Sequence, residues 1–302
     1  MKNNNPKFAF YYLLSLVALI FTAISSAIII FQIIDKSIRD ILVDNVYNND
    51  GGLRFGISAL FVAAPIFFLM VNFVNKGLRK NELEKESSLR RWLTYFILFV
   101  SAVIILGSLI GILNSFLSGE MTLKFALKTL TVLIISALVF SYYFYDIKRD
   151  NVEKKDKNIR TFFIISLGLV LAIFISSFFF VESPQIARKK RLDQIVLNRV
   201  SVIEGVVNNY YDLNKKLPNN LQEISSESGK FYFNEKDLYD PETGEKIEYN
   251  KISDREFEIC ANFRTSSNDG EGRYYYADRR FEPGRNCFKG NLWIDDKQML
   301  ID

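Results

Sequence analysis

A chain of 302 residues without a single histidine has no imidazole general base, no His metal ligand and no His-containing catalytic triad. Its residues are 49% hydrophobic and include 27 Phe, high for one soluble domain. The net charge of +4 divides into +7 for residues 1–181 and −3 for residues 182–302, so the polar half lacks the basic footprint of a nucleic-acid binder.

Residues 1–7 are polar with two Lys, and residues 8–34 form an uncharged run, FAFYYLLSLVALIFTAISSAIIIFQII. Basic residues ahead of it and small ones at 23–27 would suit a signal peptide. The apolar run continues through 28–31, beyond any cleavage point there and too long for a usual signal core, so a retained helix is expected. In the following loop, 35–52, Ile38, Ile41, Leu42 and Val46 fall near helical spacing. They read either as a short interfacial helix or as an extension of the first span. The second span covers 53–74, with Arg54 at its edge and Pro65 expected to kink it.

A charged loop, 75–91, precedes the third span, 92–117, which opens on Trp92 and Tyr95, residues suited to a membrane interface. After a short connection comes the fourth span, 125–145, where Lys128 can snorkel. The charged stretch 146–160 leads to the fifth span, 161–181, TFFIISLGLVLAIFISSFFFV. Its 21 residues carry no charge and extend about 31 Å as a helix, close to the ~30 Å hydrocarbon core of a bilayer. The expectation is a helical bundle of five transmembrane helices.

Orientation follows from Lys and Arg in short loops. The amino terminus with the second and fourth loops carries 14, and the first and third loops with their edges carry 5. That places the amino terminus in the cytoplasm and the carboxyl tail outside, in the plasma membrane. The cluster RKKR at 188–191 argues the other way, one cluster against 14 charges. No Asp or Glu falls mid-span, which disfavours a proton-coupled transporter, and no inverted repeat is visible. Gly107 and Gly111 form GxxxG in the third span, for packing within the bundle or for self-association as a homo-oligomer. Asn72 and Asn114 read as interfacial or interhelical polar contacts.

The tail, 185–302, begins after Ser183-Pro184, where the membrane helix must bend or stop. A helix resumes from about 185 to 213, with Leu192, Val196, Val200, Ile203, Val207 and Tyr210 on one face and Asp193, Asn198, Glu204 and Asn208 between them. Leu217-Pro218 starts a shorter helix carrying Leu221 and Ile224. Strands are expected at 230–233, 246–250, 256–263, 273–276 and 287–294, with turn chemistry at Asp240-Pro241-Glu242-Thr243-Gly244. In the clearest strand Phe257, Ile259, Ala261 and Phe263 alternate with Glu256, Glu258, Cys260 and Asn262. One long helix on a small antiparallel sheet is the expected α+β domain.

The segments KLPNNLQEI (216–224) and DPETGEKIEY (240–249), after a helix ending in Tyr210-Tyr211, resemble the soluble domain of type II secretion pseudopilins. The resemblance spans roughly 192–263. The whole layout resembles uncharacterised bacterial membrane proteins in which a multi-helix domain of unknown function precedes such a tail. It implies a cell-envelope location and a secretion- or pilus-like protein partner. Some pseudopilins hold calcium in a carboxylate loop; here 266–271, with Asp269 and Glu271, has suitable oxygens but reads first as a solvated loop.

Arg279-Arg280 near Tyr274–Tyr276 reads as a cation–π surface or a solvated face. The two cysteines, Cys260 and Cys287, have no CxxC spacing and no His beside them, so no zinc site is expected. They are either buried free thiols or one disulfide, and an outside compartment favours the disulfide. No catalytic residue, cofactor or metal is assigned. The function expected is a membrane-anchored interaction or assembly protein, with a channel or transporter carrying a regulatory tail as the alternative. Its partners are the lipid bilayer and an envelope protein, with no nucleic acid.

Overall fold

The structure is a computed structural model that describes residues 6–38, 50–80, 88–148, 156–226, 234–267, 279–290 and 292. Among them are seven α-helices and one three-stranded antiparallel sheet, in two compact units, Met1–Val181 and Glu182–Asp302.

The first unit is all helical: α1 (Pro6–Ser37), α2 (Asp50–Arg79), α3 (Ser88–Leu117), α4 (Leu123–Lys148) and α5 (Lys157–Ser177). All five are long and apolar enough to cross a membrane. α2 runs through Pro65 as one helix. The principal core lies between α1 and α2, where Ala18, Leu19 and Ile29 meet Leu53, Leu60, Ala64, Phe67 and Phe68. α5 joins through Phe61–Phe174 stacking and an edge contact of Phe68 with Phe163. The outer faces stay apolar. On α3, Phe99, Leu106, Ile110, Leu113 and Phe116 are each at least 60% exposed, a contiguous patch that soluble monomers rarely carry.

The helix ends differ from the apolar runs in instructive ways. α5 keeps the expected 21 residues but sits four positions earlier than 161–181. Asp156 caps its start by accepting a bond from the Asn158 N–H at 2.8 Å. At its other end Ser176 and Ser177 donate to the carbonyls of Ile173 and Phe174, and 178–181 close as tight turns. Lys36 donates to the Phe180 carbonyl at 2.9 Å, meeting one of the acceptors that a helix end leaves over. α2, α3 and α4 extend past their apolar runs into the charged stretches, which brings Arg90 and Asp146 onto helices. Most of the predicted 35–52 loop lies outside the described residues.

In the second unit, Ser183 caps α6 (Pro184–Asn214) with Pro184 at its first position, where its missing N–H costs nothing. α7 (Leu221–Ser226) and a 3-10 turn (Glu235–Leu238) follow. The strands β1 (Glu248–Lys251), β2 (Phe257–Phe263) and β3 (Gly284–Gly290) pair in the order β1-β2-β3. The apolar stripe of α6 packs on the Phe257, Ile259, Ala261 and Phe263 face of β2, with Leu217, Leu221, Ile224 and Phe281 closing the core. The last strand was expected at 287–294. It begins three residues earlier, at Gly284, and Gly284 to Gly290 pair with Phe263 to Phe257. The expected strands at 230–233 and 273–276 lie outside the described residues.

Candidate functional site

Between α1, α2, α4 and α5 lies a cavity of about 300 Å³, at the lower end of the roughly 300–1,000 Å³ range of ligand pockets. Its walls are aliphatic side chains and the rings of Phe67, Phe68, Tyr142, Tyr143, Phe162 and Phe163, and among the described residues no charged side chain lines it. Its small hydroxyls are turned to the backbone. Thr22 donates to the Ala18 carbonyl (2.7 Å), Ser26 to Thr22 (2.7 Å), Thr131 to Leu127 (2.9 Å) and Ser166 to Phe163 (3.1 Å). Those protons are committed, so these hydroxyls offer a guest acceptor lone pairs only.

The mouth lies between α4 and α5. Ile134 on α4 and Ile165 and Leu169 on α5 line the cavity yet are 44–50% exposed. The two helices are tied at one end, where Tyr145 donates to Asp156 (2.8 Å), the Asn158 amide donates to Tyr145 (3.0 Å) and Phe162 contacts Tyr142 and Tyr145. Water is a poor filler, because it needs two to four polar partners. The pattern that marks the site in sequence is short side chains, Thr22, Ala23 and Ser26 on one helix and Ser166 on another, set opposite rings.

Two ion pairs pin α4. Arg90, 4% exposed, donates to the Asp146 carboxylate at 2.7 Å and to its carbonyl at 3.1 Å. At the other end Lys128 pairs with Asp35 at 2.7 Å and stands 5.7 Å from the Phe31 ring centre. Lys128 therefore serves as a helix tie as well as an interfacial lysine. The sequence placed Arg90 and Asp146 in loops because their apolar runs end short of them.

Among the described residues no atom outside the helix's own backbone would lie within 4 Å of a side chain at Gly107, and at Gly111 the tip of Phe125 would stand at 4.0 Å. A second GxxxG, Gly52 and Gly56 in α2, lies against a neighbouring helix. A Cβ at Gly56 would stand 3.0 Å from Ile29 and 3.4 Å from the Ser25 carbonyl, and one at Gly52 would stand 3.3 Å from Gln32. Asn72 and Asn114 are both exposed, so neither makes the interhelical contact.

In the second unit the polar centre is Asp193, fully buried on α6. Its carboxylate accepts from the Arg264 and Thr265 N–H groups (2.9 and 2.8 Å) and the Thr265 hydroxyl (2.7 Å). Arg264 in turn donates to Asp240 (2.6 Å) and Glu242 (2.8 Å). Asp240 also accepts from the Glu242 and Thr243 N–H groups, closing the turn in which Gly244 takes φ +70°. Burial would raise the Asp240 carboxyl, but the bonds from Arg264 and the two N–H groups win and hold it below the usual carboxylate range. Every carboxylate here is spoken for, so the cluster ties helix, turn and strand together.

Cys260 and Cys287 are joined in a disulfide between directly opposed positions of β2 and β3. Glu258 lies beside the sulfurs, but sulfurs bonded to each other are not thiolate ligands. Arg279 pairs with Glu204 and stands 5.5 Å from the Phe288 ring, a half-buried strut in place of an open cation–π surface; Tyr274 and Tyr276 lie outside the described residues. Of the loop considered for calcium, Ser267 exchanges bonds with the Phe281 backbone, and Asp269 and Glu271 lie outside the described residues.

Residues 9–143 match a family described as a domain of unknown function (DUF5671). The match runs from α1 into α4, so most of the cavity's walls lie within it and the α5 wall lies outside. No curated protein matches the chain, and no solved structure does.

Proposed function

We propose that this chain is a plasma-membrane protein of five spans that presents its carboxyl domain outside the cytoplasm as an interaction or assembly module. The observation that carries the reading is a contrast between the two units. The first exposes large apolar side chains along its helices, as a bilayer solvates them, and the second buries a complete core of its own. The 14-to-5 distribution of basic residues supports a cytoplasmic amino terminus, and the disulfide suits an oxidising compartment. The resemblance of segments 216–224 and 240–249 to pseudopilins is the ground for reading the tail as a module that meets an envelope partner. No catalytic role is assigned. The cavity's hydrocarbon walls lend no support to a transporter of ions or polar solutes.

Reporter fusions after Lys85 and Lys154 should read cytoplasmic, and a fusion after Asp302 external. An internal reading at Asp302 removes the proposal. With the orientation established, capture of a defined envelope protein by the tail identifies its partner.

A further inference from the structure

We infer that the cavity between α1, α2, α4 and α5 is a lipid site that takes one acyl chain of a membrane phospholipid, entering sideways between α4 and α5. The inference rests on the membrane placement proposed above. Three observations select the occupant. Among the described residues the walls carry no charge, and the Thr22, Ser26, Thr131 and Ser166 hydroxyls have given their protons to the backbone, so the cavity offers little to a hydrated solute. The mouth is flanked by Ile134, Ile165 and Leu169, apolar residues on helices long enough to span, so it faces hydrocarbon where the bundle is inserted. The space extends along the helices, since its walls run from Ile30 and Thr131 to Tyr142 and Phe162, about three turns of α4. A flexible single chain fits that shape and already resides at that depth. Closure at the Tyr145–Asp156 end leaves the α4–α5 gap as the lateral entrance.

The test uses the full chain in nanodiscs of phosphatidylethanolamine and phosphatidylglycerol doped with a phospholipid bearing a diazirine midway along one acyl chain. After irradiation, peptides containing the buried wall residues Leu19, Ser26 and Phe68 should carry the label, together with outward α3 residues such as Leu113. Two filling variants, Ala23→Phe and Ser166→Leu, should each cut the cavity labelling at least fivefold and leave the α3 labelling unchanged. Loss of all labelling, α3 included, would mean that the bundle is not in the bilayer and would remove the membrane reading itself. Labelling of α3 with none in the cavity, or cavity labelling that survives both variants, overturns the lipid site alone. A polyprenyl probe that labels the cavity while the acyl probe does not would overturn the choice of occupant. Unchanged elution of both variants on size exclusion separates filling from misfolding.

Discussion

Asp193 shows how much one side chain can organise. It stands on the helix face that the sequence assigns between apolar positions, and nothing local distinguishes it from the solvated Asn198. Its partners, Arg264 and Thr265, are 71 and 72 residues away, so the sequence cannot reveal that it is buried. Replacing it by Ala would strand two backbone N–H groups and a hydroxyl and leave Arg264 with fewer anions. Breaking a buried charged network of this kind costs about 3–5 kcal/mol. The Asp193→Ala tail should therefore melt on the order of 10 °C or more below the parent, whereas Asp254→Ala, whose side chain is 99% exposed in its pair with Lys251, should change little. The linked pH behaviour has a definite sign. Asp240 is held low as described, Glu248 by its bond from Arg285, and Glu223 by bonds from the Asn219 side chain and backbone. Carboxyls with lowered folded values add stability that is fully present above their unfolded values, about 4, and is lost as pH falls through the folded ones. Thermal midpoints of the tail should be flat between about pH 5 and 7 and fall below about pH 4. A steeper loss between pH 5 and 7 would show that other groups dominate.

At the level of elements, the two GxxxG pairs teach the same lesson as Asp193. Gly107–Gly111 lies in a purely apolar span and looks like the packing motif, while Gly52–Gly56 lies beside Arg54 at the edge of one. A small-residue groove matters where a partner fills it, and within the single chain α1 brings Ser25, Ile28 and Ile29 to Gly56. Gly56→Leu should cost about 1–3 kcal/mol through overpacking, and Gly107→Leu should leave the bundle's stability nearly unchanged. Melting of the detergent-solubilised chain, followed by size exclusion, reads both; equal losses would mean that α3 packs in a way the single chain does not show. The five long helices were legible because hydrophobic length is a property of one segment. Their ends were less so, since Asp156, Ser176 and Ser177 set the limits of α5 by hydrogen bonding. The cavity was not legible at all. It exists where short residues of α1 and α5 face rings of α2 and α4, a coincidence of four segments. β3 begins three residues early because its pairing is fixed opposite β2, with Gly290 seated against the Phe257 ring.

For the whole molecule, the division at Val181 and Glu182 makes the second unit a testable object. A tail that begins at Glu182 keeps Ser183 and Pro184, and so keeps the cap that lets α6 start without a preceding helix. Its core is assembled from its own residues, from Val196 on α6 to Phe288 on β3, and about 120 residues suffice for an independent fold. The expressed tail should be soluble without detergent and melt in one cooperative step. The disulfide then contributes as a cross-link on the unfolded chain. Closing a loop of 27 residues is worth about 3–4 kcal/mol in the chain-entropy account. The Cys260→Ser, Cys287→Ser double variant should melt on the order of 10–15 °C lower and keep the same sheet, because Phe257, Ile259 and Phe263 pack without the sulfurs. Retention of the parent's melting temperature would mean that the bond adds nothing. The same bond also reports compartment. Unreduced, alkylated protein from native membranes should yield one linked pair of peptides containing Cys260 and Cys287. Two alkylated thiols would place the tail in a reducing space and reverse the proposed orientation, leaving the RKKR cluster at 188–191 as the better guide to the membrane's inner face.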